Sequence, residues 1–311
     1  MKIQNQAISE KKLLDAVASV CSKAPDLALG LSGGLDSILL AESLLRLGLA
    51  PLCLHVNHGW RGRQSDADER WVRRWCREHG LKLLVKRLGR KVPRSEGEAR
   101  KARWDFFNRA ASRHGFRNLC LAHHADDQVE TFFLQLLRGA GPEGLAGLRE
   151  KRRIGSLTVL RPLLCFSKNE LLRLARKWKL KWREDDSNKS PDYFRNRVRR
   201  RLLPYLKKLS GRDPAVLILR TVNVLAEENA YWEKMLPDKW PEKLSVREWK
   251  TRPPAWQRRA MRAWLASRGV GDADFDQIEA VVRLLNREKP SKVNLSRNRF
   301  CRRRRGVLFV E

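Results

Sequence analysis

No stretch of eighteen consecutive apolar residues occurs anywhere in the 311-residue sequence, so a membrane-spanning helix is not expected. Residues 1–17 lack the apolar core of a secretory signal peptide. Cysteine is scarce and scattered. The six thiols (Cys21, Cys53, Cys76, Cys120, Cys165 and Cys301) form no C-x-x-C pair and no Cys/His cluster at zinc spacing. That excludes a disulfide framework and a zinc ribbon, and the thiols are read as reduced, small hydrophobic residues of a cytoplasmic protein. Internal repeats and low-complexity tracts are absent as well. Disorder is excluded as the main state by 42% hydrophobic and 8% aromatic residues, enough for a sizeable core.

Acidic residues are also in short supply. Against 66 Lys+Arg stand 35 Asp+Glu, a net charge of +31. Residues 151–210 carry 19 Lys+Arg against 5 Asp+Glu, and residues 211–311 carry 22 against 13. Such a field attracts a polyanion, with nucleic acid the leading candidate and an anionic membrane surface second. A generally arginine-rich proteome is the bland alternative.

Apolar periodicity predicts alternating strands and helices. Strands are expected at 27–31, 52–56, 81–88, 118–122 and 157–164, and helices at 37–47, 66–79, 95–114, 126–138 and 168–178. The alternation specifies an α/β fold with a doubly wound, mostly parallel sheet. Helices follow at 196–208, 214–236, 245–269 and 274–287, and the basic segment 292–311 is a candidate hairpin. The polar, helix-breaking stretch 210–214 is the expected hinge between a domain at 1–209 and a smaller, mainly helical one at 210–311.

Two segments carry chemistry. The first, Ser32-Gly33-Gly34-Leu35-Asp36-Ser37, follows the first strand and opens a helix, where open α/β sheets bind ligands. It lacks the Gly-Lys-Ser/Thr ending of a Walker loop and is not G-x-G-x-x-G. The glycines let the backbone approach a phosphate, the two serines add hydroxyls, and Asp36 is the odd carboxylate, reconciled if it bridges Mg²⁺ to the phosphates. These residues resemble the S-G-G-x-D-S signature of the ATP pyrophosphatase family, which implies ATP as co-substrate.

The second segment, Leu121-Ala122-His123-His124-Ala125-Asp126-Asp127-Gln128-Val129-Glu130-Thr131, follows the fourth strand. Asp127 and Glu130, three apart, share one helix face and suit a cationic ligand. The paired histidines could suggest zinc, but adjacent side chains diverge and would need further ligands. Together with Arg138-Gly139-Ala140-Gly141 and Gly144-Leu145, this segment is similar to the L-A-H-H-x-D-D-Q-x-E-T…R-G-x-G…G-L signature of the tRNA(Ile)-lysidine synthetases. Further matches are Val56-Asn57-His58-Gly59 with Arg61, Ser65 and Asp68; Ala99-Arg100-Lys101-Ala102-Arg103-Trp104; Arg161-Pro162-Leu163-Leu164; Glu184-Asp185-Asp186-Ser187-Asn188; and Arg195-Asn196-Arg197-Val198-Arg199. Trp60 and Trp104 stand where aliphatic and tyrosine residues are usual.

The resemblance implies a PP-loop, adenine nucleotide alpha hydrolase-like fold and an enzyme, a carbon–nitrogen ligase. It would use ATP and Mg²⁺ to attach L-lysine to the wobble cytidine of tRNA(Ile) with a CAU anticodon. By the same resemblance, residues 32–37 bind ATP, and Asp36, His123, Arg103 and Arg195 act at the reacting centre. Asp127 and Glu130 hold lysine. Arg197, Arg199, Arg200, Arg201 and the run 302–305 face the RNA, and Trp60, Trp104 and Trp182 are candidates to stack on loop bases. A tRNA 2-thiolase of the same superfamily is the alternative enzyme and an inactive tRNA-binding module the alternative class. Some family members carry an additional C-terminal domain for which 311 residues leave little room. Oligomeric state is left open, with a homodimer as one option.

Overall fold

The computed structural model describes residues 9–24, 26–60, 62–88, 96–184, 194–271, 273–286, 291–295 and 298–311. Arg61 and the 185–188 motif lie outside the described residues. The chain forms two compact units, Met1–Gln135 with Leu145–Asn223, and Leu136–Gly144 with Val224–Glu311.

The first unit runs α1 (Glu10–Cys21), β1 (Leu27–Gly30), α2 (Leu35–Arg46), β2 (Leu52–Asn57), α3 (Arg63–Glu78), β3 (Leu83–Arg87), α4 (Glu96–His114), β4 (Asn118–Cys120) and α5 (Ala125–Leu136). After α6 (Pro142–Leu145), all but its last residue in the second unit, come β5 (Lys151–Ile154), β6 (Leu157–Leu160), α7 (Lys168–Lys177), α8 (Phe194–Arg197), a π-helical turn (Val198–Leu202), α9 (Leu203–Ser210) and α10 (Pro214–Lys234), which carries the unit boundary. The sheet order is β3-β2-β1-β4-β6-β5, parallel except for β5. From β1 the chain winds outward through β2 and β3, then returns to β4 on the other side. The loops after β1 and β4 therefore meet at a topological switch point, where open α/β sheets bind ligands.

Side-chain alternation along the strands divides the core in two. Leu29, Cys53 and Cys120 face a cluster with Leu13, Ile38, Leu39 and Leu171 from α1, α2 and α7. Their neighbours Ala28, Leu54 and Leu119 face Phe107, Ala110 and Ala111 of α4. Each fully buried leucine, isoleucine or phenylalanine contributes about 1.5–3 kcal/mol. Trp104 packs on the α4 side and Trp182 on the other, so both are engaged with core, while Trp60 stands half-buried with its ring 5.2 Å from His58.

The strand expected at 157–164 ends at Leu160, because Arg161 turns away and Pro162 has no N–H to continue the ladder. Strand β5 was not foreseen. Its sequence Lys-Arg-Arg-Ile shows no alternation, and its three cations suit an exposed edge strand.

The loop after β2 is pinned by Glu69, only 1% exposed. It accepts from Asn57 Nδ2 (2.9 Å), Arg73 Nε (2.9 Å) and Arg87 Nε (2.7 Å). Burial by itself would raise the Glu69 pKa, but the bonds from Arg87, Asn57 and Arg73 outweigh it and hold the value at about 2. A depressed carboxylate pKa contributes stability above its unfolded value that is lost as pH falls through the folded one. Glu69→Gln is therefore expected to destabilise the protein at pH 7 by about 1–3 kcal/mol, tempered by the exposure of both arginines. The deficit should shrink between about pH 4.5 and pH 2, so urea unfolding of both proteins at pH 7 and pH 3 checks it. An equal deficit at both values would contradict the assignment.

The second unit contains β7 (Leu244–Ser245), α11 (Val246–Trp249), α12 (Pro254–Ser267), α13 (Phe275–Asn286), β8 (Lys292–Asn294), β9 (Phe300–Arg304) and β10 (Val307–Val310). Its antiparallel sheet has the order β7-β10-β9-β8, so the unit holds more strand than the sequence suggested. The expected hairpin is β9–β10, turned at Arg305-Gly306, both with positive φ. The single helix expected at 245–269 is broken: Pro253 has no N–H, Pro254 starts α12, and the buried Gln257 amide caps the carbonyls of Trp249, Lys250 and Arg252. Trp264, Met261 and Val281 centre the core. No helix among the described residues is long and apolar enough to cross a membrane.

Candidate active site at the switch point

The β1–α2 loop is organised by one hydroxyl. Ser37 Oγ accepts from the N–H groups of Ser32 and Gly33, each at 3.2 Å, and donates to Gly34 O at 3.0 Å. Ser32 Oγ lies 2.9 Å from it and accepts from Gly34 N. Gly33 has φ +89°, and a Cβ there would sit 2.8 Å from Val72 Cγ2, so both conformation and space require glycine. Its carbonyl accepts from Arg183 N at 2.9 Å, and the Arg183 guanidinium reaches Asp68 at 2.8 Å. Leu35 buries into the core while the α2 N-terminus presents its N–H groups toward the crevice, an arrangement suited to an anion.

Asp36 stands in the first turn of α2. Both of its oxygens accept from Lys168 Nζ at 2.6 Å. Lys168 also donates its backbone N–H to Asp126 Oδ2 at 2.8 Å, tying the start of α7 to the first turn of α5. His124 lies among three carboxylates: its Nε2 is 3.8 Å from Asp36 and 3.7 Å from Asp127, and its Nδ1 is 3.5 Å from Asp126. Burial opposes its charge, but Asp126, Asp127 and Asp36 prevail and raise its pKa. Asp126 is held at about 2: burial pushes upward and is overcome by the His124 imidazole 3.5 Å away and the bond from the Lys168 N–H.

His123 faces the opposite charge. Its Nδ1 accepts from Arg161 Nε at 3.2 Å. Burial first, then Arg161, Arg103, Arg195 and Arg100, pushes its pKa well below the ordinary value. The two adjacent imidazoles thus diverge, one into arginines and one into carboxylates. Among the described residues no group of three His, Cys, Asp or Glu is arranged to hold a metal ion.

On α5, Asp127 Oδ2 accepts from the His124 N–H at 2.9 Å, and Glu130 is 3% exposed. Burial raises the Glu130 pKa despite Arg199, whose Nε and Nη2 bond its Oε1 at 2.9 and 2.5 Å. Arg199, expected at an RNA surface, is exposed as are Arg197, Arg200 and Arg201, but its guanidinium lies on the carboxylate expected for lysine. In the second unit Arg304 and Arg305 are exposed, Arg302 pairs with Glu311, and Arg303 donates to Leu284 O.

Asp36 of the 32–37 loop therefore stands within 4 Å of His124, which is as close to Asp127; Asp127 in turn acts on the charge of Glu130, and Arg103 and Arg195 act on that of His123. Three participants carry no assigned role in the sequence reading: Lys168 enters it only as the start of a helix, while Arg161 and His124 stand in matched segments. Lys168 had a local signal, since a cation in the first turn of a helix opposes the helix dipole. Arg161 had another, a charge at the end of an apolar strand and directly before proline.

Comparisons with known proteins agree with this architecture. The family model described as the PP-loop domain matches residues 5–206, and the one described as the TilS substrate binding domain matches residues 244–309. The tRNA(Ile)-lysidine synthase of Bacillus subtilis is 33% identical over 225 residues, 70% of this chain and 48% of that protein. That of Geobacter sulfurreducens is 34% identical over 281 residues, 84% of this chain and 59% of that protein. The chain spans about half the length of the curated relatives it matches. Among solved structures, the U34-tRNA thiolase NcsA of Methanococcus maripaludis superposes with a TM-score of 0.56 at 21% identity, covering 70% of this chain and 78% of that one, a likeness of fold alone. With the glycine loop at the switch point and two thirds of the sequence matched, the chain belongs to the PP-loop domain family and carries a TilS substrate binding domain behind it.

Proposed function

We propose that this chain is a tRNA(Ile)-lysidine synthetase: it joins L-lysine to C2 of the wobble cytidine of tRNA(Ile) with a CAU anticodon, converting ATP to AMP and pyrophosphate and changing the tRNA's specificity from methionine to isoleucine. One observation carries the reading. The adjacent His123 and His124 stand in opposite electrostatic surroundings, His123 accepting from Arg161 at 3.2 Å and His124 within 3.8 Å of Asp36, Asp126 and Asp127, which suits a site joining a polyphosphate reaction to a cationic amino acid.

In the first step the cytidine O2 attacks the α-phosphorus of ATP and pyrophosphate leaves. Residues 32–37 and the α2 N-terminus hold the phosphates, and Arg103 and Arg195 offset the charge that develops. Mg²⁺ fits this donor set. Asp36 already faces a cation, the Lys168 ammonium, and one carboxylate plus substrate phosphates is the usual way Mg²⁺ is held. When bound, the ion would neutralise phosphate charge.

In the second step the lysine ε-amine attacks C2, and the C2–O bond breaks as AMP departs with the oxygen. The amine's protons pass to base groups or water. Asp127 and Glu130 supply the negative charge that retains the amino acid, and Lys168 is positioned to order Asp36 and Asp126 together. The exposed arginines Arg197, Arg200 and Arg201 suit phosphate contacts, which orient RNA without reading its sequence. An anticodon-loop cytidine is unpaired and open to capture in a pocket.

The test follows radiolabelled lysine into a transcript of tRNA(Ile) with CAU, with and without ATP-Mg²⁺, and with the wobble cytidine changed to uridine. Label that depends on ATP and on the cytidine is the expected result. AMP formation without label would sink the lysine assignment. A thiolase is the reading to test next, although five of the six cysteines are buried.

A further inference from the structure

We infer that Arg161 is a positioning residue that fixes His123 as the neutral imidazole with its proton on Nε2, so that His123 donates a hydrogen bond to the reacting groups and does not serve as their base. The inference deepens the lysidine reading and rests on it for the identity of those groups.

The geometry is set by two neighbouring parallel strands. β4 ends at Cys120, pairing with Leu160 of β6, so the residues that follow each strand emerge side by side. Arg161 is 3% exposed and anchored twice: its backbone N–H donates to Glu150 O at 2.8 Å, and its Nη1 to Arg149 O at 2.7 Å. Held in this way, it aims Nε at His123 Nδ1 at 3.2 Å. A guanidinium has only donors, so the facing ring nitrogen must be the acceptor. A neutral imidazole has one donor and one acceptor nitrogen, which leaves the proton on Nε2.

The charged groups around the ring all act in the same direction. Arg100 and Arg103 come from α4, Arg195 from α8 and Arg161 from the end of β6. Among the described residues the charged groups acting most strongly on His123 are these four cations, whereas Asp36 of α2 and Asp126 and Asp127 of α5 lie within 4 Å of His124. A second proton on His123 would face four cations and a donor already occupying Nδ1. A neutral N–H donor beside arginines suits the negative charge that grows on phosphate oxygens during adenylation, and again when AMP leaves. The proton of the attacking amine is then left to another acceptor.

The direct test is spectroscopic. In full-length protein labelled with ¹⁵N-histidine, the imidazole spectrum of His123, assigned by its loss in His123→Gln, is expected to be that of the neutral Nε2–H form from pH 6 to pH 8. A Nδ1–H or doubly protonated ring in that range overturns the proposal, whatever the enzyme proves to do. Arg161→Gln should produce a tautomer mixture and a ring that titrates higher, and Arg161→Lys, which keeps charge and a donor, should restore part of the wild-type pattern. An unchanged His123 spectrum in folded Arg161→Gln overturns the role of Arg161.

Single-turnover AMP formation with tRNA supplies the functional arm. Glutamine keeps an N–H close to the place of Nε2 but is no base. His123→Gln is therefore expected to lose about 10-fold or less, and His123→Leu about 10²–10³-fold, the usual cost of an oxyanion donor. Equal, large losses in both would show that His123 takes a proton. Failure of wild-type protein to incorporate lysine, with the tautomer as expected, would overturn the lysidine reading and leave the Arg161–His123 geometry standing.

Discussion

Asp36→Asn is expected to lower both AMP formation and lysine incorporation by about 10²–10³-fold, the range for losing a preorganised electrostatic group at a reacting centre. Asparagine keeps the shape of the side chain but removes its charge. The bidentate grip on Lys168 Nζ, 2.6 Å to each oxygen, is reduced to one neutral acceptor. It also deletes the carboxylate proposed for Mg²⁺, so the phosphates would meet a loop with no fixed means of holding their counter-ion. Stability should change little, because Asp36 and Lys168 are 23% and 36% exposed and such pairs are partly screened. A thermal melt within a few degrees of wild type, with activity gone, is the expected combination. Activity within tenfold of wild type would remove Asp36 from the mechanism.

Glu130→Gln is expected to raise the KM for lysine by about 10–100-fold, corresponding to loss of a charge-assisted hydrogen bond of about 1.5–3 kcal/mol. The KM for ATP and the formation of AMP at saturating lysine should move far less. The same substitution should leave the melting temperature unchanged or raise it. Glu130 is 3% exposed and its pKa is raised by burial, which means that the folded protein disfavours the ionised form. Above its ordinary pKa that carboxylate therefore counts against stability, and removing its charge relieves the penalty even though Arg199 loses a partner. A charge kept where the fold disfavours it is a mark of ligand binding. Because Arg199 holds the same oxygen, a lysine cation would have to compete with that guanidinium or share the carboxylate with it. Equal rises in both KM values, or a marked fall in melting temperature, would make Glu130 a structural anchor.

Local pattern was enough for the main elements of the first unit. The apolar runs at 27–31 and 52–56 and the helical spacing of Ile38, Leu39, Ala41 and Leu44 appear as β1, β2 and α2 because burial and backbone period act over a few residues. Where one residue type could break an element, the boundary shifted. Pro162 cut a strand short, and Pro253 with Pro254 divided a helix in two. Strand β5 and the sheet of the second unit had weak local signals, since Lys151-Arg152-Arg153 and Arg302-Arg303-Arg304 look like solvated charge until a partner strand supplies their hydrogen bonds.

The sequence by itself determined the two chemical segments, their residue types and the strand-to-helix turns that carry them, because Gly33 and the serines around it act within six residues of one another. Only the tertiary structure decided the division of labour between His123 and His124. They are neighbours in the chain and chemically identical. What separates them is Arg161, 38 residues from His123, and Asp36, far back in the first βα turn, brought near by a parallel sheet that adds β4 on the opposite side of β1 from β2. Electrostatic environment depends on distance through space, and sequence order does not contain it until the strands are paired.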